Sequence, residues 1–217
     1  MSTILTYTAQ FCIVDALLTD LHIQGSYYLL HFMANAYIVA NTFDHVFLCF
    51  TNFHDHLHLP IVYGCIEVTM ALHIYHVIIY HSKFRLDDWL HHILMVFFTL
   101  PMTTLFTTCG IVVSNGLFFT TGLPGGIDYL LLFLVKNDWL VTRQTEKKIN
   151  TWLNVWVRCP GCILTASFVL GLLQQHCRDV AVSYTYITIT MCIIATLYWN
   201  GIHFMNSAAK DYYSNYL

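Results

Sequence analysis

The residues best placed to do chemistry stand together in Asp87-Asp88-Trp89-Leu90-His91-His92. On a helix, Asp87 and His91, Asp88 and His91, and Asp88 and His92 are three or four apart and share one side, so a carboxylate can fix an imidazole tautomer and raise its basicity. A general base needs that geometry. The same spacing also suits acids that cap a helix N-terminus while a histidine bonds a neighbouring carbonyl. Upstream, Glu67, His73 and His76 fall in an apolar run, the two histidines one turn apart. Groups of this kind pair with polar groups of adjacent helices or line a polar cavity. Arg158 is a further candidate, either binding the carboxylate or phosphate of a lipid or acyl carrier or snorkelling to an interface.

Two other motifs carry less. His54-Asp55-His56-Leu57-His58 has metal-like spacing, but ligation needs three or four converging ligands with outer partners, which one short loop seldom supplies. No metal site is expected. Cys159-Pro160-Gly161-Cys162 has the spacing of redox and zinc motifs in apolar surroundings without a second pair, so a proline-glycine kink accounts for it.

The elements that position these residues follow from composition. Of 217 residues 57% are apolar and 10% charged, against about a quarter charged in a soluble domain. Crossing about 30 Å of hydrocarbon takes about 20 apolar residues, and such runs lie near 27–50, 61–81, 88–109, 111–135, 150–173 and 182–205. The expected fold is all-α, a polytopic transmembrane bundle of about six spans forming one domain over 27–217, with 1–26 as an amphipathic lead-in. Leu123-Pro124-Gly125-Gly126 should break the fourth span. Lys83, Arg85, Arg143, Lys147, Lys148 and Lys210 fall in alternate joints, which predicts both termini in the cytoplasm. A net charge of -3 without a dense basic run excludes a nucleic-acid surface.

The stretch His73 to Leu94, with its basic joint, acidic residue and His91-His92 pair, resembles the TLC-domain family of ceramide synthases and translocon-associated proteins. Leu197-Tyr198-Trp199-Asn200-Gly201-Ile202-His203-Phe204, followed by Lys210, is similar to that family's last span, and the resemblance covers about 61–210. It implies a lipid protein of the endoplasmic reticulum. A full member transfers an acyl group from acyl-CoA, its co-substrate, to the amine of a long-chain base, with His91, His92 and Asp128 as catalytic residues. Here Asp128 and Leu131 match the family's acid-base segment, whereas Pro124, Gly125 and Leu132 replace its His-Asp and glutamate. Lipid binding or homeostasis therefore fits better than acyl transfer, with membrane lipids as partners and no cofactor required. The alternatives are a structural subunit of a larger membrane assembly and a histidine-rich metalloenzyme of the desaturase or hydroxylase class.

Overall fold

Three prolines explain the most distinctive feature of the backbone. A proline gives no N–H to the carbonyl four residues before it, and its ring crowds that carbonyl. Ahead of Pro101, Pro124 and Pro160 the helix widens to π geometry over Leu94–Thr99, Phe118–Gly122 and Asn154–Arg158. The residue preceding each proline reaches back five positions: Leu100 N–H to the Met95 carbonyl, Leu123 N–H to Phe118, and Cys159 N–H to Asn154. The carbonyls each proline leaves unserved, those of Phe97, Thr120 and Trp156, fall inside the widened turns, so the helix bulges without ending.

The computed structural model describes residues 2–106 and 109–216, excepting the side chains of Ser2, Asp87 and Phe106. Its helices are α1 (Ser2–Asp20), α2 (Ser26–Thr51), α3 (Tyr63–Tyr80), α4 (Leu86–Ile93), α5 (Leu100–Phe106), α6 (Gly110–Leu117), α7 (Leu123–Lys136), α8 (Arg143–Leu153), α9 (Cys159–Asp179) and α10 (Tyr184–Tyr216). The π turns join α4 to α5, α6 to α7 and α8 to α9, which makes seven rods, and no strand occurs among the described residues. The expected break at Pro124–Gly126 is not there. Gly110–Lys136 runs as one 27-residue helix, because the π turn absorbs the misfit that proline would otherwise impose.

Three rods, Gly110–Lys136, Arg143–Asp179 and Tyr184–Tyr216, are long and apolar enough to cross a membrane. The protein is thus an all-helical membrane bundle, and the count of six spans is not reproduced. Polar residues explain why α2 falls short of that standard: His31, Asn35, Asn41, Asp44 and His45 lie along it.

The 1–26 segment contains α1, which packs along α3 and puts Phe11, Val14 and Leu18 against Leu30, Leu72 and Tyr75. Near their C-terminal ends the Tyr80 hydroxyl donates to Asp15 at 3.0 Å, and Ser26 donates to the same carboxylate at 2.5 Å. The Asn137 amide donates to the Gln24 carbonyl, and Lys147 pairs with Asp211 at 2.6 Å. These contacts gather the start of α2, the end of α7, the start of α8 and the end of α10 at one end of the bundle. Ser2 lies at the other end from Tyr216, because α1 is itself a 19-residue rod.

A second apolar cluster, Ile38, Cys65, Ile66, Leu100, Val113 and Leu117, knits α2, α3, α5 and α6 together. Close packing depends on two glycines. A Cβ on Gly110 would stand 2.0 Å from the Pro60 carbonyl oxygen, and one on Gly201 would press on Cys159 and Cys162. The Cys-x-x-Cys segment is therefore a helix contact between α9 and α10, with Cys162 Sγ donating to Asn200 Oδ1 at 3.7 Å.

Candidate functional site

A polar chamber of about 790 Å³ opens at the end of the bundle where α8 begins and α10 finishes. Each π turn supplies part of its wall: Met95 from the first, Thr120 and Thr121 from the second, Asn154 and Arg158 from the third. The prolines thus determine which side chains look inward. A π turn adds a residue to the turn and rotates the helix beyond it, so polar residues that would be dispersed around regular helices converge.

The inner wall carries paired histidines. His73 donates its Nδ1–H to the Thr69 carbonyl at 2.8 Å, which leaves its Nε2 as an acceptor, and His91 Nε2 lies 3.1 Å from that atom. With both rings neutral, His91 is the Nε2–H tautomer and keeps a lone pair on Nδ1, an assignment that follows from the hydrogen-bond network. His92 is fixed similarly by the Asp88 carbonyl at 2.7 Å, and His76 Nδ1 then donates to His92 Nε2 at 3.1 Å. His76 Nε2 remains buried without a partner. His31 stacks on His76 and meets the Tyr129 ring at a tilt, with ring centroids 4.3 Å apart in each case.

The opposite wall is charged. Arg158, 8% exposed, donates to Asn154 Oδ1 at 2.7 Å and lies over the Phe204 ring at 4.6 Å, while its Nε has no partner. Asp128 lines the same chamber and faces the fully buried Glu146. Arg143 at 3.5 Å and Lys147 at 3.9 Å offset the Glu146 charge. Arg85 and Lys210 join Arg143 and Lys147 around the opening.

His73, His91, Asp128 and Arg158, all expected from the sequence, therefore meet in one chamber. His92 does not line it. It is stacked on Phe84 at 4.5 Å behind His91 and paired with His76, so it supports the wall. The Asp88 carboxylate caps α4, accepting from the Arg85 N–H at 2.9 Å and lying 3.6 Å from the Arg85 guanidinium. Its backbone carbonyl, not its carboxylate, fixes the His92 tautomer, because a helix places the carbonyl of residue i−4 under an imidazole. Glu67 is half-buried near the start of α3 and does not line the chamber. The carboxylate of Asp87 lies outside the described residues.

Sequence reasoning missed His31, Tyr129, Glu146, Asn150, Asn154 and Asn200. A signal did exist for one group, since Asn150, Asn154 and Arg158 recur every four residues, and the Asn154 amide donates to Asn150. His54 and His56 sit in a one-turn helix, with His56 bonded to the Asn52 carbonyl at 2.9 Å. Among the described residues no group of three or more histidine, cysteine or acidic side chains is placed to hold a metal.

Two further spaces adjoin the chamber. One of about 330 Å³ shares His73, His91, Tyr129 and Phe204 with it and reaches His31 and His76. The other is a narrow slot of about 70 Å³, lined by Leu100, Val112, Leu117, Val169, Ile193 and Leu197, which shares Met95, Thr120 and Asn200 with the chamber. The slot is mostly apolar, and it penetrates between α5, α6, α9 and α10. Compared with family models, curated proteins and solved structures, the chain has no match.

Proposed function

We propose that this protein is a lipid-binding membrane protein of the TLC-domain type, holding a long-chain amphiphile with its head in the chamber and the first few carbons of its chain in the slot. The observation that carries the reading is that the chamber and the slot adjoin, sharing Met95, Thr120 and Asn200 in their linings. A polar cavity with a basic opening suits a carboxylate, thioester or phosphate head, and an apolar slot suits little besides hydrocarbon. In this reading all seven rods lie in the bilayer of the endoplasmic reticulum. Lys83, Arg85, Lys136, Arg143, Lys147, Lys148 and Lys210 gather at the chamber end, and that concentration of basic residues supports a cytoplasmic position for this end.

Acyl transfer from acyl-CoA is a second reading of the same chamber, favoured by the lone pair that His73 imposes on His91 Nδ1. Purified protein given acyl-CoA and a sphingoid amine separates the two. Stoichiometric retention of the acyl lipid without amide product supports binding alone, and amide formation that His91→Ala abolishes establishes transfer. Retention of neither acyl-CoA nor lipid by the purified protein contradicts both.

A further inference from the structure

We propose that α4 is a lateral gate through which a lipid of the adjacent leaflet passes between α4 and α10 into the chamber. The inference rests on the chamber reading and adds the route by which the ligand arrives.

Like the other helices of the bundle, α4 turns apolar side chains outward and polar ones inward. Leu86, Trp89, Leu90 and Ile93 are exposed, while His91 and His92 point inward. Like α7, α8 and α10, it contributes no residue to the three apolar clusters of the bundle. What joins α4 to α3 is the two imidazole pairs, His73 with His91 and His76 with His92, together with the stacking of Phe84 on His92. Directional hydrogen bonds release and re-form at a defined geometry, whereas an interdigitated apolar seam resists opening along its whole length.

Both ends of α4 are jointed. On one side a 3-10 turn, His81–Lys83, passes into extended backbone at Phe84 and Arg85, with ψ of 132° and 172°. On the other side stands the π turn Leu94–Thr99, whose hydrogen bonds have already shifted register. Such joints are where small backbone rotations move a short element as a body.

The space behind the gate is already partly formed. The 330 Å³ cavity lies between Leu90 and His91 of α4 and Trp199, His203, Phe204 and Ser207 of α10, and it adjoins the chamber across His73, His91, Tyr129 and Phe204. At its rim Leu90 is 49% exposed and Trp199 38% exposed, so the outer edge of the cavity is apolar while its wall carries His31, His73, His76, Arg85 and His203. Arg85, at the first joint, lines both cavities and would meet a lipid head as it crosses. A ligand taken from water would need only the basic opening. An apolar-rimmed passage at the side of a membrane bundle suits a ligand taken from the bilayer.

The test uses Leu90→Cys with His203→Cys in the full chain, with exposed Cys177 and Cys192 replaced by serine, joined by a cleavable bismaleimide. The protein is loaded with fluorescent phosphatidic acid and mixed with phosphatidylcholine vesicles containing unlabelled phosphatidic acid. Cross-linked protein is expected to exchange its lipid about tenfold more slowly, with cleavage restoring the rate, as for other gated sites. Bound lipid with equal exchange rates in the two forms overturns the gate and leaves the chamber reading standing. Failure of the two cysteines to cross-link also overturns the gate. Absence of bound lipid in either form overturns the chamber reading and the gate with it.

Discussion

His73 and His91 meet Nε2 to Nε2 at 3.1 Å, bridging α3 and α4 at the wall of the chamber. The Thr69 carbonyl fixes His73 as the acceptor, so the contact sets the tautomer of His91 as well as holding the helices together. His76 and His92 form a second pair with the roles exchanged, His92 being the anchored acceptor and His76 the donor.

His76→Leu leaves the Nε2 of buried His92 without a donor, and such a group costs about 1–3 kcal/mol. His92→Leu orphans the Nδ1–H of His76 at similar cost. The double variant removes both partners and is expected to be less destabilised than the sum of the two, by about 1 kcal/mol. Thermal unfolding in detergent measures the cycle, and simple additivity would show that the pair contributes no coupling.

Pro124→Ala restores an N–H to the Thr120 carbonyl and permits an ordinary α turn where the π turn now stands. Helix content should stay constant or rise, since removing an interior proline favours the helix by up to about 3 kcal/mol. Lipid retention should fall, because closing the π turn rotates Thr120 and Thr121 relative to Asp128. Circular dichroism and bound-lipid assay together check this, and unchanged retention with a closed turn would separate the prolines from the site.

Glu146 is fully buried and depends on Arg143 and Lys147 for its counter-charge. Replacing both cations by methionine strands a buried charge, at about 3–5 kcal/mol. Adding Glu146→Gln to that variant should recover most of the loss. Asp211→Asn breaks the outer pair with Lys147, whose aspartate is 41% exposed and also accepts from Asn215, and should cost no more than about 1 kcal/mol. Melting temperatures rank the three, and a larger loss for Asp211→Asn would invert the ranking.

A Cβ at Gly116 would make only ordinary contact, 3.5 Å from Thr165 Cγ2, and Gly116 lines the slot. Gly116→Ala should therefore be tolerated, whereas Gly116→Leu fills the slot and should select shorter acyl chains. Chain-length analysis of the lipid that co-purifies with each variant reads the effect. An identical distribution for Gly116→Leu and the parent would remove the slot as the site of the chain.

Much of this architecture is legible in the sequence, and the remainder is hidden for physical reasons. Apolar runs and basic joints locate the helices, and His73, His91 and Arg158 stand out because polar groups in apolar runs are costly. Pro124 marks a backbone anomaly, yet sequence cannot distinguish a break from a π turn, since the difference lies in whether the residue before the proline finds a carbonyl five back. His92 and Asp88 fulfil the spacing rule for a charge-paired imidazole, but the Asp88 carbonyl lies under the ring and takes its hydrogen bond in place of the carboxylate. Glu146 looks like one charge of a solvated basic joint. Its burial follows from the meeting of α7, α8 and α10, which no local pattern contains.

If the chamber and slot hold one long-chain lipid whose head meets Arg158, the complex should survive gentle release from detergent. Native mass spectrometry of the parent beside Arg158→Leu is the decisive comparison. A single adduct of lipid mass is expected on the parent, with a carboxylate, thioester or phosphate head in its fragmentation, and its loss is expected from Arg158→Leu while the fold is retained. A parent protein that flies free of any adduct, or an adduct that survives Arg158→Leu at equal occupancy, would contradict lipid binding at this site.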